Sequence, residues 1–314
     1  MSCHGKSVWL AVAFRLHSSV FKAARTPPDA RMNGSISIVT PVPPAPVTRP
    51  RPAFKMRSIA LPNEHGSWGI LLEPLVVGIA VAPSLASPFV ALLYIGAFLS
   101  RQPLKWYLAD LKAKRSRAQT AAARNFAFAY LSIATVGFFG TVAFAGVGAL
   151  LPLILTAPLG IITLWFDVSG KSRRVAPEMA GVVTLASSAT VCGLAAGWSF
   201  AASVALSIVM ILRLVPSMLY IRERLRLEKG KPKPNSFAVP IVLHLFAVAT
   251  VAVLAWYSLS PWLPLAVFTF LLVRVITGSS DFRLKVRAKQ LGMLEVFFGA
   301  LVVLSVILGH YFHL

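Results

Sequence analysis

Acidic residues and cysteines are scarce in this chain, and each scarcity excludes a class of protein. The 314 residues include 10 Asp and Glu against 31 Lys and Arg, which gives a net charge of +21. Only 13% of the residues are charged and 57% are hydrophobic, with a mean hydropathy of +0.74. This composition excludes disordered and collagen-like chains. The two cysteines, Cys3 and Cys192, are too few for a disulfide framework or a cysteine-based zinc site.

Long apolar runs account for the composition. A helix needs about 20 apolar residues to cross a bilayer, and stretches of about this length recur along the chain. We predict an all-α, polytopic transmembrane bundle of about nine spans, at residues 67–83, 86–101, 125–146, 149–166, 179–196, 198–220, 237–258, 261–278 and 291–312.

Basic residues are confined to every second connector, which places them on one predicted side of the membrane. Their distribution therefore predicts the orientation of the protein. The connectors after spans one, three, five and seven are short and uncharged, and all 31 Lys and Arg lie in segments 1–63, 101–124, 167–178, 213–234 and 274–289. Because cytoplasmic connectors carry the Lys and Arg excess, we expect a multi-pass protein of the cell membrane with the N-terminus inside and the C-terminus outside. Anionic headgroups then explain the positive charge, and we expect no nucleic-acid partner.

Residues 1–57 differ in composition from the transmembrane domain that we predict at 58–314. Residues 41–52 contain six prolines, which is typical of an extended linker. The basic residues 1–31 fit either a targeting peptide or an over-long predicted start, with initiation at Met32. We favour the second interpretation.

Polar residues inside the spans or at their ends are the candidate ligand-binding residues, because charged groups at membrane depth usually face a cavity or an ion partner. Span one begins with Asn63, Glu64, His65 and Trp68. Trp68 also fits an interfacial anchor. Glu73 lies inside the apolar run, where a solvated carboxylate is a poor explanation.

The sixth span ends in a second candidate group. Arg213, Ser217, Tyr220 and Arg224 recur at intervals of four, three and four residues, so they share one helix face. Two guanidinium groups on one face are suited to a phosphate or a carboxylate. Snorkelling to the headgroups is the alternative explanation for Arg224.

The remaining candidates lie near the same predicted cytoplasmic side. For Arg274 and Glu295, in spans eight and nine, we weigh an ion pair between them against a role in a binding site. The ends of other spans contribute Arg101, Lys105, Asp167 and Glu178. If these groups converge, they form a basic cavity suited to an anionic head group. The sequence has no Walker, HExxH or GxGxxG motif, so we predict neither a metal ion nor another cofactor.

The stretch Pro62-Asn63-Glu64-His65-Gly66-Ser67-Trp68 resembles the start of the YwiC-like family of bacterial membrane proteins. Residues 177–181, 220–224 and 289–295 are similar to further patches of that family. The resemblance covers about residues 58–314. The resemblance implies an integral membrane protein. It implies no particular activity, because none is settled for the family.

The layout of nine helices with polar loops after spans two and six is similar to that of UbiA-type prenyltransferases. That resemblance implies binding of an isoprenyl diphosphate through Mg²⁺ held by aspartate-rich motifs. Here the first loop offers only Asp110 and the second offers Glu223 and Glu228, which lie on different helix faces. The metal-binding motifs of the family are therefore missing.

These observations lead to three functional hypotheses. The first, which we favour, is that a basic cytoplasmic-side cavity binds or moves an anionic amphiphile such as an isoprenoid or lipid phosphate. The second is a UbiA-like prenyltransferase with degenerate motifs, which would use Mg²⁺. The third is a proton-coupled small-solute transporter with His65, Glu73 and Glu295 as its relay.

Overall fold

The computed structural model describes residues 56–62, 65–171, 174–231, 237–280 and 283–314. The predictions for residues 1–55, for Asn63 and Glu64, and for the side chain of His65 lie outside the described part of the chain.

Regular structure in the described residues is helical throughout. A short helix α1 (Met56–Ala60) comes first, and a 3₁₀ turn at Val147–Leu150 leads into the fifth helix. The nine long helices are α2 (His65–Val81), α3 (Ser87–Lys112), α4 (Ala118–Ala145), α5 (Leu151–Val168), α6 (Val175–Ala195), α7 (Phe200–Glu228), α8 (Ala238–Trp256), α9 (Leu263–Ser279) and α10 (Ala288–Phe312). Each of them overlaps one of the nine predicted spans.

Most of the long helices have the length and composition of membrane spans. Six segments are long and apolar enough to cross a bilayer, namely α4, the 3₁₀ turn with α5, α6, α7, α8 and α10. The shorter helices α2 and α9 are apolar as well. Large hydrophobic side chains such as Phe128, Leu155 and Trp256 are exposed on the outer faces, as contact with lipid requires. The protein is therefore a multi-pass, all-α membrane protein.

Three helices extend further than the apolar runs predicted. Helix α3 continues from the predicted end at 101 to Lys112, and α7 continues from 220 to Glu228. Helix α4 begins at Ala118, seven residues before the predicted start. The additional turns are rich in Ala, Leu, Lys and Arg, which favour helix in water as well as in lipid. Hydropathy therefore marks the edge of the apolar layer and not the end of the helix.

Helices α3 and α4 form a hairpin with very close backbone contact. A Cβ atom at Gly96 would lie 2.6 Å from the backbone nitrogen of Ala134. A Cβ atom at Gly137 would lie 2.7 Å from the Cα atom of Leu93. Only glycine permits such an approach at both crossings. The hairpin is closed at its loop by Asp110, which accepts a hydrogen bond of 2.6 Å from the Thr120 hydroxyl.

Helix α2 lies between two apolar clusters and contacts helices from both halves of the chain. On one side Val77 joins a core with Met210, Phe268 and Val302 from α7, α9 and α10. On the other side α2 packs against α3 and α6. Trp68, a predicted site residue, contacts Phe98 edge to face in this second cluster, with ring centroids 5.4 Å apart. This central position brings Glu73 on α2 against α7 and α10.

We predict that Gly137→Ala lowers the free energy of unfolding by about 1–3 kcal/mol, because the added methyl group overlaps the α3 backbone. Thermal unfolding of detergent-purified protein measures the change. Gly292→Ala is the matched control, since a Cβ at Gly292 enters open space. Equal melting temperatures for the wild type and Gly137→Ala would contradict the close packing of the hairpin.

Candidate functional site

Four helices bring charged side chains together inside the bundle. Glu73 on α2, Arg213 on α7, Arg274 on α9 and Glu295 on α10 form what we term the charge cluster. The side chain of Arg213 is 3% exposed and the other three are 11–13% exposed. With a rise of 1.5 Å per residue, Glu73 and Glu295 lie roughly 10–12 Å along their helices. The cluster is therefore deep in the bundle.

Glu295 binds both arginines. Its Oε1 atom accepts a hydrogen bond from Arg274 Nη2, and its Oε2 atom lies 3.4 Å from Arg213 Nη1. Arg213 Nη2 also donates to the backbone oxygen of Glu295 at 2.9 Å. The Arg274–Glu295 ion pair, one of the two alternatives weighed from the sequence, is present. Both oxygens of the Glu295 carboxylate are therefore paired with arginines.

Glu73 is held more loosely. Its Oε1 atom lies 3.5 Å from Arg213 Nη2, and its Oε2 atom has no hydrogen-bond partner among the described residues. The carboxylate lies directly against Gly299 on α10, where a Cβ atom would overlap it. Two carboxylates thus balance the two arginines of the cluster. Anion binding by Arg213 or Arg274 stays a prediction.

Aromatic rings complete the surroundings of Arg274. Its guanidinium carbon lies 4.3 Å from the ring centroid of Phe298 and 4.8 Å from that of Tyr220. Such cation–π contacts are worth about 0.5–2 kcal/mol. The Tyr220 hydroxyl lies against Gly278 of α9, where a Cβ atom would overlap it. Tyr220 thus fixes α7 against α9 at the level of the cluster.

The predicted stripe on α7 is buried along its whole length. Arg213, Ser217, Tyr220 and Arg224 are each no more than 3% exposed. Arg224 donates to the carbonyl oxygens of Gly278 and, at 2.5 Å, of Leu284. Arg224 therefore holds the connector between α9 and α10 against α7. Snorkelling is the wrong explanation for Arg224, because its guanidinium group points into protein.

Other predicted residues form ion pairs of their own. Arg101 on α3 binds Asp167 on α5 with two hydrogen bonds, of 2.5 and 3.1 Å. Glu178 on α6 lies 2.5 Å from Arg222 on α7. Lys105, one turn beyond Arg101, is partly exposed. Several predicted site residues thus form separate ion pairs between helices, and the charge cluster contains only Glu73, Arg213, Arg274 and Glu295 of the predicted set.

The sequence interpretation missed His244 on α8. Its side chain is buried, and Nδ1 lies 2.8 Å from the carbonyl oxygen of Pro240. Because a carbonyl only accepts, Nδ1 is the donor of this hydrogen bond, and in the neutral ring Nε2 carries the lone pair. Nε2 has no partner among the described residues, and the ring lies within electrostatic reach of Arg213 and Arg274. A lone histidine inside an apolar helix was the available signal.

The carboxylates of the two polar loops do not fit a magnesium site. Glu228 and Glu223 are paired with Arg224 and Arg226 of the same helix, at 2.9 and 2.6 Å. Mg²⁺ requires oxygen ligands arranged as an octahedron. Within the described residues, no three His, Cys, Asp or Glu side chains are grouped to hold a metal ion.

Comparison with known proteins agrees with the predicted resemblance over part of the chain. A family model described as "YwiC-like protein" matches residues 61–193, which comprise α2 to α6. The resemblance to this family is therefore confirmed for these residues. No curated protein and no solved structure matches the chain. The matched segment contains Glu73, whereas its three partners in the charge cluster follow it in the sequence.

We predict that Glu295→Gln lowers the free energy of unfolding by about 3–5 kcal/mol, because it leaves two buried arginines with Glu73 alone. Chemical or thermal unfolding in detergent measures the loss. Glu223→Gln is the matched control, since its partner Arg226 is 43% exposed and an exposed pair contributes less than about 1 kcal/mol. Similar losses in both variants would show that the cluster is not the stronger interaction.

Proposed function

We propose that the protein binds an anionic amphiphile, of the isoprenoid-phosphate or lipid-phosphate class, at the basic end of its helices and without a metal ion. The phosphate would contact exposed lysines and arginines, and the apolar chain would lie along a helix within the bilayer. The cell membrane, with the basic end on its cytoplasmic side, is the location that we propose for this binding.

The observation that supports this proposal is an excess of positive charge that the protein does not neutralise internally. Six carboxylates are engaged with arginines, namely Glu73, Asp167, Glu178, Glu223, Glu228 and Glu295. Exposed basic side chains remain at the helix ends and connectors on one side, including Lys112, Lys114, Arg115, Arg117, Lys171, Arg174, Lys229, Lys231, Lys285, Arg287 and Lys289. Such a surface attracts phosphate groups and anionic lipids.

The start of α10 combines this charge with an apolar face. Lys289 and Met293 lie on an open surface at the start of α10 together with Val286, Gln290 and Leu294. Lys289 and Met293 are four residues apart, and Phe297 follows after another four, so the three side chains lie on one helix face. All three are exposed. A phosphate at Lys289 would therefore place its chain against Met293 and Phe297.

Prenyl transfer is less well supported. In the related layout the diphosphate is held by Mg²⁺ on loop aspartates, whereas here Glu223 and Glu228 are bound to arginines of their own helix. The guanidinium group beside each of these carboxylates repels a second cation, which opposes the binding of Mg²⁺ there. Binding of an anionic head by lysine and arginine requires no such rearrangement.

We expect undecaprenyl phosphate to raise the melting temperature of the detergent-purified protein, with or without Mg²⁺, because a ligand of the folded state stabilises it by mass action. Removing one positive charge near the head group costs about 1 kcal/mol, so Lys289→Ala should weaken binding about fivefold. Lys112→Ala is the matched control, because Lys112 is an exposed lysine at the end of α3, and the described residues of α3 do not pack against α10.

The uncharged alcohol undecaprenol separates the phosphate contribution from that of the chain. An equal shift with the alcohol, or no shift with the phosphate, would refute the proposal. A shift that required Mg²⁺ would favour the prenyltransferase alternative.

A further inference from the structure

We infer that the charge cluster and His244 enclose a hydrated proton-binding site, in which Glu73 takes up a proton while Glu295 stays ionised. This is a second function, distinct from lipid binding at the start of α10. It belongs to the class of proton-coupled processes, for which ionisable groups within a helical bundle are the usual means.

The charge cluster and its immediate surroundings contain several polar atoms without a hydrogen-bond partner. Arg213 Nε, Ser217 Oγ and His244 Nε2 have no hydrogen-bond partner among the described residues, although their side chains are almost fully buried. Arg274 Nη1 and Glu73 Oε2 are also without partners. Buried polar groups are nearly always hydrogen-bonded, because desolvation is costly otherwise. Three of these atoms belong to the charge cluster itself, Ser217 follows Arg213 by one helical turn, and His244 lies within electrostatic reach of both arginines. We infer that small bound molecules satisfy them.

The chemistry of these atoms identifies the occupant as water. Arg213 Nε and Arg274 Nη1 can only donate, whereas Glu73 Oε2 and His244 Nε2 offer lone pairs. The Ser217 hydroxyl can do both. Water both donates and accepts, and buried water typically makes about three hydrogen bonds to such groups. A chain of water molecules can also deliver a proton to a carboxylate.

Protonation would break a hydrogen bond at one carboxylate of the cluster and none at the other. Both oxygens of Glu295 accept from arginines, so protonation would break a charged hydrogen bond. Glu73 has only the 3.5 Å contact to Arg213, and its Oε2 atom is unbonded. A proton on Oε2 breaks no hydrogen bond of the described structure. It converts the carboxylate to a carboxylic acid and changes the charge of the cluster from zero to +1.

The charged groups around Glu73 favour this assignment. The neighbouring helices α7 and α10 present Arg213 and Glu295 to it, and Arg274 lies behind Glu295. Nδ1 of His244 donates to a carbonyl oxygen, which leaves Nε2 as the ring atom that can accept a hydrogen bond in the neutral imidazole.

The other helices packed against α2 offer no competing proton acceptor of comparable position. Helix α6 presents Cys192 near Gly78 of α2, and its Glu178 is engaged with Arg222. On α3, Arg101 is bound to an aspartate of α5. Of the two carboxylates in the charge cluster, Glu73 is therefore the one with less to lose on protonation.

Infrared difference spectroscopy of the full chain in lipid nanodiscs tests the proposal directly. On acidification we expect the carbonyl stretch of a protonated carboxylic acid to appear, and to shift when H₂O is replaced by D₂O. Glu73→Gln should abolish this band, because the amide cannot take up the proton, yet it mimics the neutral form in size. Glu223→Gln, the same change at a partly exposed pair, should leave the band unchanged.

Two further results test whether Glu73 is the group that takes up the proton. Glu73→Asp keeps a carboxyl group in a different position, so it should retain the band at a shifted frequency even if Glu73→Gln is poorly folded. A wild-type spectrum without the band while the protein stays folded, or a band that is unchanged in both Glu73 variants, would overturn the proposal. Neither result depends on lipid phosphate, so failure of the lipid-binding proposal is recognised separately.

Discussion

The charge of Arg213 is the constraint on which the rest of the structure depends. A guanidinium group stays protonated at every accessible pH, so this side chain cannot be buried as a neutral group. It is 3% exposed, and an isolated ion in such a place would cost many kcal/mol. Carboxylates must therefore reach it from other helices. Glu73 and Glu295 do so from the first and the last long helix, and this requirement brings the ends of the transmembrane domain together around α7.

The same face of α7 organises the other half of the bundle. Arg213 binds α2 and α10, Tyr220 fixes α9, and Arg224 holds the connector between α9 and α10 through carbonyl oxygens. Lys289 lies only six residues before Glu295, about 9 Å along α10. Both proposed sites thus involve α10, because a lipid phosphate would bind at its start and Glu73, the proposed proton acceptor, lies against Gly299 near its middle.

Much of the fold and part of the site could be predicted from the sequence, for physical reasons. Apolar runs locate the spans because the bilayer demands them. The spacing of four, three and four places the residues from Arg213 to Arg224 on one face, as the structure shows. Hydropathy does not say which helices touch, so it could not distinguish the separate Arg101–Asp167 pair from a shared cavity. His244 was missed because a single histidine in an apolar run makes no motif.

The spacing of the charge cluster along the chain also bears on how the protein is made. Glu295 is synthesised 82 residues after Arg213, a delay of roughly 4–16 s at about 5–20 residues per second. During this interval Glu73 is the cluster carboxylate already present when α7 enters the bilayer. Glu73, the more weakly bound partner of Arg213 in the finished protein, is thus synthesised first. Glu295 on the last helix then neutralises the remaining positive charge of the cluster.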